Sequence, residues 1–515
     1  MLSKIFRSQK TGQAAFLLMF ASVLSYMAGL LRDRALSTTF GATRFTDAYN
    51  ASFLIPDFFF NLFIAGALSV AFVPVFASYL KTDKRQAREV ANTIITIGTL
   101  FLGVLGIVFF FLTPYLIPTI FRHIDSGDHI MIITMTRILL LSPILFCISN
   151  ALGSILITHK NFLAYALSGF LYNLGIILGI IILHRQIGIY SAAVGAIIGA
   201  FLHLSVRFLN ILTIKYKYRP RFSLKHTGIK QVFILMIPKS ISLVLWQSML
   251  WVYTLVAYTL QEGSVAAFNY ARNLQSFPVS LFGIAFATAV FPFLADHANN
   301  QDKKRFSQDF QITLEKILFF SIPAAVGMLI LNREIIVIIL GGGKFDEVAV
   351  TLTSAVLFYF ILSIPFESIV HLLARAFYAH KNTLSPMLIT FAGVFFNIGF
   401  VIATVGSIGI VAIPLGFLIE TVLKILIYSF FIKNKIVYFE YGSCLVKILK
   451  IGVASSLMGI VVIYTPVVIE TFIGIGFLTT QIFRIMIGIL IYFAATAILR
   501  CSELQFFHNL YKKFT

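Results

Sequence analysis

The chain has 515 residues, a formal net charge of +20, and only 12% charged residues against 59% hydrophobic ones. With a mean hydropathy of +0.93, this excludes a soluble globule or a separate water-soluble domain and marks an integral membrane protein. The positive surplus would suit nucleic acid, but the basic residues gather in alternate loops, so it reads as a positive-inside bias and no nucleic-acid partner is expected.

The N-terminal segment MLSKIFRSQK is basic and precedes an apolar run that continues to about Leu31. No small-residue cleavage pattern with a polar mature region follows, so this run is predicted to be a retained first span rather than a signal peptide. Apolar runs of roughly 20 residues, enough to cross a hydrocarbon core of about 30 Å, then recur along the whole chain. Hydropathy predicts an all-α polytopic membrane protein with about fourteen transmembrane helices. They fall at 12–31, 46–80, 90–113, 130–153, 162–183, 189–212, 231–258, 264–294, 312–332, 348–373, 384–404, 409–432, 446–469 and 475–499.

The loops set the orientation. With the N-terminus in the cytoplasm, the inside loops hold Lys81, Lys84, Arg85 and Arg88, then Lys160, the run Lys215–Lys230, Lys303, Lys304 and Arg305, Lys381, and Lys433, Lys435 and Lys447. Lys512 and Lys513 lie in the tail, so both termini are predicted to be cytoplasmic. The outside loops are poor in lysine and arginine, with one exception. After the first span, Arg32, Asp33, Arg34, Arg44 and Asp47 form a charged patch between two apolar runs. Charges close to spanning helices are expensive unless they face water or a partner. The patch is either tolerated loop charge or the lining of a cavity for an anionic lipid.

An internal repeat follows. His159-Lys160-Asn161 recurs as His380-Lys381-Asn382, and Gly188-Ile189 with Gly195 recurs as Gly409-Ile410 with Gly416, each 221 residues later. Asn173 and Gly175 match Asn397 and Gly399, 224 residues later, and Ala71, Pro74 and Ala77 match Ala289, Pro292 and Ala295, 218 residues later. Near-constant offsets over separate segments predict two parallel six-helix repeats, the arrangement that places a substrate site between rocking lobes. The predicted division is an N-lobe at 1–214, a cytoplasmic basic linker at 215–230, a C-lobe at 231–433, and two added helices with a tail at 434–515. The linker suits anionic lipid headgroups.

No enzyme chemistry is visible. Gly341-Gly342-Gly343-Lys344 lacks the spacing and hydroxyl of a phosphate loop and reads as a turn. No metal-ligand grouping stands out, and no cofactor is expected. His159 and His380 are repeat-related and fall at helix ends. Cys147, Cys444 and Cys501 are far apart and form no disulfide framework. Ionisable residues within or near the apolar runs are Asp57, Arg137, Lys239, Arg272, Glu315, Glu367, Arg375, Glu420 and Lys424. Glu420 and Lys424 share a helix face and predict an i,i+4 pair, and Glu367 with Arg375 is read the same way. Arg137, Lys239 and Arg272 have no close sequence partner. They suit either an anionic substrate, whose phosphate oxygens match the planar arginine fork, or interhelical salt bridges. Lys239, just after Pro238, also has the option of snorkelling. Prolines at 56, 74, 143, 278, 292, 323, 365 and 414 predict kinks that suit alternating access.

The motifs Gly29-Leu-Leu-Arg32-Asp33, Phe40-Gly41-Ala42, Thr46-Asp47-Ala48, Ile55-Pro56, and Gly66-Ala67-Leu68-Ser69 through Ala71-Phe72-Val73-Pro74 resemble the start of the MurJ (MviN) family of lipid II flippases. Tyr270-Ala271-Arg272, Phe277-Pro278 and Gly283-Ile284-Ala285 through Phe291-Pro292 resemble its eighth helix, and Pro238 with Gln247 its seventh. The resemblance covers nearly the whole chain. It implies a member of the multidrug/oligosaccharidyl-lipid/polysaccharide exporter superfamily, a transporter and not an enzyme, that moves an undecaprenyl-pyrophosphate-linked peptidoglycan precursor across the bacterial inner membrane. It also implies that Arg32, Asp33 and Asp47 line the central cavity and that the last two helices form a groove for the lipid tail.

The chain departs from the family where many members carry arginines. Tyr26, Phe60 and Asn61 stand at such positions, Ala65 replaces a Glu, and Asn273 takes the usual arginine position in the eighth helix. Arg272 lies one place earlier, about 100° round the helix. The expected substrate contacts are therefore Arg32, Asp33, Asp47, Arg272, Lys239, Arg34, Asn273 and Arg137, with Lys239 or Arg137 compensating for the missing cations. The partners expected are lipid II and membrane lipids, with a monomer as the default. The alternatives are a flippase for another polyprenyl-linked glycan and a MATE-like drug/cation antiporter.

Overall fold

The computed structural model describes residues 11–65, 71–122, 124–433, 436, 438–472 and 476–504. The N-terminal basic segment, the Gly66-Ala67-Leu68-Ser69 motif, Lys435, Lys512 and Lys513 lie outside that range, as does the side chain of Lys239. In chain order, α1 (Thr11–Phe40) is followed by α2 (Arg44–Ser52), α3 (Leu54–Phe59), a π segment at Phe60–Ala65, and α4 (Val73–Thr82). Next come α5 (Lys84–Ile120), α6 (Ser126–Leu139), α7 (Leu141–Thr158), α8 (Leu163–Ile187), α9 (Tyr190–Thr213) and, beyond an irregular strap, α10 (Thr227–Tyr258). The second half contains α11 (Ser264–Pro278), a π segment at Val279–Ile284, α12 (Ala285–Asn299), α13 (Lys303–Ile330), α14 (Asn332–Ile339), α15 (Glu347–Ala379), α16 (Leu384–Ile408) and α17 (Ala412–Ile432). The described chain closes with α18 (Tyr441–Phe472) and α19 (Phe477–Ile498).

The fold is that of an all-helical polytopic membrane protein. Lipid offers the backbone no hydrogen-bonding partner, so each N–H and C=O must be satisfied within the helix. Large apolar side chains such as Ile107 and Phe111 on α5 accordingly face outward. Among the described residues, ten stretches are long and apolar enough to cross a membrane. Four differences separate this number from the fourteen runs read by hydropathy, the first being that α1, which holds the run 12–31, is not among the ten. The run 46–80 is divided into α2, α3, a π segment and α4. The run 231–258 contributes two shorter apolar pieces, Thr227–Ile237 and Leu243–Tyr258, while 384–404 and 409–432 join in one stretch, Leu384–Ile432.

The repeat recurs in the backbone. Lys160 and Lys381 both adopt a left-handed conformation, with φ of 58° and 59°. Next to them, the Asn161 amide donates to the Leu156 carbonyl (2.9 Å) and the Asn382 amide to the Phe377 carbonyl (3.1 Å). Gly188 and Gly409 end α8 and α16 at φ of 56° and 60°. Pro56 and Pro278 each stand just before a π segment. Proline removes a backbone donor, and such local rewinding often marks a functional site.

The chain divides into two compact units. In the first, Met1–Ala267 with Ile339–Ala349, α1 packs along α8, and α8 along α9. Glycine permits the second contact: a Cβ added at Gly179 would lie 2.4 Å from the Gly195 Cα. In the second, Phe268–Ile338 with Val350–Thr515, one core gathers Leu294, Phe306, Phe310, Leu372, Phe377 and Tyr428. Another joins Phe319 of α13 to Met458 of α18 and Tyr492 of α19, and the Tyr492 hydroxyl donates to the Phe319 carbonyl (2.6 Å). The two helices outside the repeat are thus anchored on α13.

Candidate functional site

The charged patch read as a loop is the end of a helix. At 30 residues α1 is about 45 Å long, so it outruns the hydrocarbon core and carries Arg32, Asp33 and Arg34 in its final turns. The Arg32 guanidinium donates to Asp33 Oδ1 from Nε (3.0 Å) and Nη2 (2.7 Å), and from Nη1 to Asn173 Oδ1 on α8 (3.1 Å). Asn173 is itself oriented, since its Nδ2 donates to the Ser25 and Gly169 carbonyls (3.3 and 3.2 Å). The Asp33 side chain is buried, while that of Arg32 keeps 23% exposure. The result is a guanidinium held in one orientation, with one neighbouring carboxylate, on a side chain that is not fully buried.

The rest of the patch is held by other partners. Arg34 is exposed and donates to the Ile339 carbonyl (3.3 Å). Arg44 bridges Asp125 (2.7 Å) and Glu262 (3.7 Å). Asp47 is buried, and its two oxygens accept from the backbone amides of Gly263 (2.7 Å) and Ala266 (2.8 Å). A carboxylate is an acceptor only, and the first amides of a helix lack intrahelical partners, so Asp47 caps the start of α11. Gly263 sits at φ +85°, where a Cβ would meet the Ala42 carbonyl oxygen at 2.2 Å. The Lys344 amide donates to the Thr38 carbonyl (2.9 Å), and the Ser37 hydroxyl to the Leu340 carbonyl (2.7 Å). The GGGK segment is a turn, closed by a Gly342–Phe345 bridge, and it packs on the end of α1.

The other sequence candidates with described side chains have partners of their own. Arg137 donates to the Phe110 carbonyl (2.9 Å) and stacks over its ring (4.5 Å), a partner no linear spacing indicates. Lys239 lies on α10. In the second unit, Arg272 donates to Asn269 Oδ1 (3.2 Å) and lies over the Phe268 ring (5.5 Å), and the Asn273 carbonyl accepts from the Ser276 hydroxyl (2.8 Å). Glu420 and Lys424 pair as predicted. Glu367 and Arg375 do not pair with each other. Glu367 accepts from Gln275 Nε2 (2.5 Å), while Arg375 stacks over Phe291 (5.4 Å). Lys447 lies within α18 rather than in a loop and pairs with Glu315 (2.7 Å).

Two buried arginines were missed. Arg207 on α9 donates to the Ser149 carbonyl (3.0 Å), Asn150 Oδ1 (2.9 Å) and the Ser168 hydroxyl (2.8 Å). Arg484 on α19 pairs with Glu334 (2.8 Å) and donates to Gln481 Oε1 (2.7 Å). Each is a lone arginine in an apolar run, which was the available signal.

A family model, the lipid II flippase MurJ, matches residues 36–483. The probable lipid II flippase MurJ of Aquifex aeolicus is 28% identical over 488 residues, covering 92% of this chain and 94% of that one. The corresponding protein of Bdellovibrio bacteriovorus is 30% identical over 402 residues, 74% of each chain. A solved lipid II flippase MurJ in an inward closed conformation aligns with a TM-score of 0.78 at 26% identity, covering 94% of this chain and 98% of that one. An inward-facing MATE-family transporter aligns with a TM-score of 0.67 at 15% identity, covering 80% of this chain and 94% of that one, a likeness of fold alone. With the family model spanning most of a polytopic helical chain, the chain belongs to the MurJ family of lipid II flippases.

Proposed function

We propose that this protein carries lipid II, an undecaprenyl-pyrophosphate-linked glycopeptide, from the inner to the outer leaflet of the cytoplasmic membrane by alternating access. The observation that carries this reading is the family match along residues 36–483. The fixed, partly exposed Arg32 fork fits the same chemistry. Its donors match phosphate oxygens, and a pyrophosphate arriving there competes with Asp33 for them. Arg34, Lys239, Arg137, Arg272 and Asn273 remain the other proposed contacts. Asp47 also remains a proposed cavity residue, with its carboxylate engaged by the Gly263 and Ala266 amides.

The proposed topology places both termini in the cytoplasm, with 1–214 and 231–433 as the lobes and the protein acting as a monomer among membrane lipids. Moving net charge through the membrane is worth roughly 2.3 kcal/mol per charge per 100 mV, so the membrane potential is proposed as a contribution to the driving force.

Depletion and rescue tests this reading. A bacterium depleted of its own flippase and expressing this chain is expected to regain lipid II in the outer leaflet. Arg32→Ala, at equal membrane expression, is expected to fail. Rescue by both versions removes Arg32 from the site. A well-expressed wild type that never rescues transfers the function to another polyprenyl-linked glycan.

A further inference from the structure

On the first unit, the strap between α9 and α10 closes over the start of α5 and forms a basic bowl of about 640 Å³. Lys84, Arg85 and Arg88 line it from α5, and Lys217, Arg219 and Arg221 line it from the strap. Sequence alone presents these as two separate basic segments. Tertiary structure brings them to one concavity, and four contacts fix the strap. The Tyr216 hydroxyl donates to Asn92 Oδ1 (2.6 Å) and the Tyr218 hydroxyl bonds Thr96 (2.8 Å). The Arg221 amide donates to the Thr96 hydroxyl (3.4 Å), and the Ser223 hydroxyl donates to Glu89 Oε1 (2.5 Å). Glu89, the acid lining the bowl, is thereby engaged by a neutral partner. Among the described residues none of the six cations lies within salt-bridge distance of a carboxylate. Six cations outnumber the one lining carboxylate, Glu89, so the bowl is net positive and its cations repel one another unless a further anion sits among them.

The flanking side chains indicate the anion's source. Phe222 and Leu224 are 66% and 63% exposed, immediately beside Arg221 and Lys225. Large apolar groups interleaved with cations in a pinned, irregular segment suit the interface of an anionic bilayer, where cations meet headgroups and the apolar groups enter the acyl boundary. A soluble phosphate compound needs only the cations. We propose that this bowl is a binding site for the phosphate headgroup of an anionic phospholipid, with Phe222 and Leu224 seated in the same leaflet.

Native mass spectrometry of the full chain in detergent, titrated with dioleoyl phosphatidylglycerol and dioleoyl phosphatidylcholine, tests this. The wild type is expected to prefer phosphatidylglycerol. Arg88→Ala/Arg219→Ala/Arg221→Ala is expected to weaken that binding on the order of 100-fold, at about 5-fold per cation, and Arg219→Ala alone by about 5-fold, so the single variant decides the matter if the triple one does not fold. The triple lysine variant at the same positions keeps the preference. Lys303→Ala/Lys304→Ala/Arg305→Ala, which removes equal charge elsewhere, leaves it unchanged. Undiminished phosphatidylglycerol binding by the alanine variants, or equal loss in the control, overturns the site. Inorganic pyrophosphate binding the bowl more tightly than phosphatidylglycerol overturns the lipid assignment.

Discussion

Asn173 and Asn397 lie on the matching helices α8 and α16 of the repeat, three residues out of register, and they use opposite ends of the same amide. In the first half the Asn173 carbonyl oxygen accepts from Arg32. In the second the Asn397 Nδ2 donates to Glu420 Oε2 (3.2 Å). An amide carries both acceptor and donors, so the same residue type can hold a cation in one copy and an anion in the other. The charges differ in fate. The Arg32 side chain is partly exposed, whereas Glu420 is fully buried and paired with Lys424. The first copy presents its charge and the second seals it. Function and stability are therefore expected to separate along this line.

The largest effect is expected from Glu420→Ala, which leaves the buried Lys424 ammonium without its carboxylate. Stability should fall by about 3–5 kcal/mol, read as a lower Tm of the purified protein. An unchanged Tm would mean that the second copy's charge is not sealed. A sharper contrast comes from one substitution made twice. Asn397→Asp replaces a donor to Glu420 with a second carboxylate and should cost about 1–3 kcal/mol of stability. Asn173→Asp adds a carboxylate beside Arg32 but loses the Nδ2 donation to the Ser25 and Gly169 carbonyls, so Tm should fall by less than at Asn397 while flipping in the rescue assay drops. Equal effects on Tm at the two positions would erase the distinction.

The smallest expected effect concerns a shared feature outside the spans. Asp83 and Asp302 cap α5 and α13 in the two halves, accepting from the amides of Arg85 (2.7 Å) and Arg305 (3.0 Å). The backbone N–H groups of Arg85 and Gln86 hold the Asp83 carboxyl below its ordinary range. Its contribution is then present above the unfolded pKa, about 4, and is lost as pH falls through the lower folded value. Asp83→Ala should lower Tm slightly at neutral pH, and the gap from wild type should close in acid. A gap that persists in acid would assign it to the lost packing and not to the cap.

Much of the architecture is written locally. The membrane fold, the Glu420–Lys424 pair and the repeat each follow from composition, from a spacing of four on one helix, or from a fixed offset along the chain. The site was legible only in residue type. Arg32 and Asp33 stood out as charges beside apolar runs, but hydropathy ended their helix near Leu31 because it registers only the apolar part of a helix that continues to Phe40. Arg207 was overlooked because its partners, Ser149, Asn150 and Ser168, are neutral and lie on other helices.

The sequence by itself determined that this is a two-fold repeated, all-helical membrane protein resembling a known flippase family, since hydrophobic length, loop charge and repeat period are properties of the chain in one dimension. Only the tertiary structure decided that Arg32 answers to Asn173, that Asp47 caps a helix beginning more than two hundred residues away, and that two distant basic segments share one bowl. These are pairings between helices. Which helices meet is set by side-chain packing, such as the glycine contact of α8 with α9, and no linear spacing encodes it.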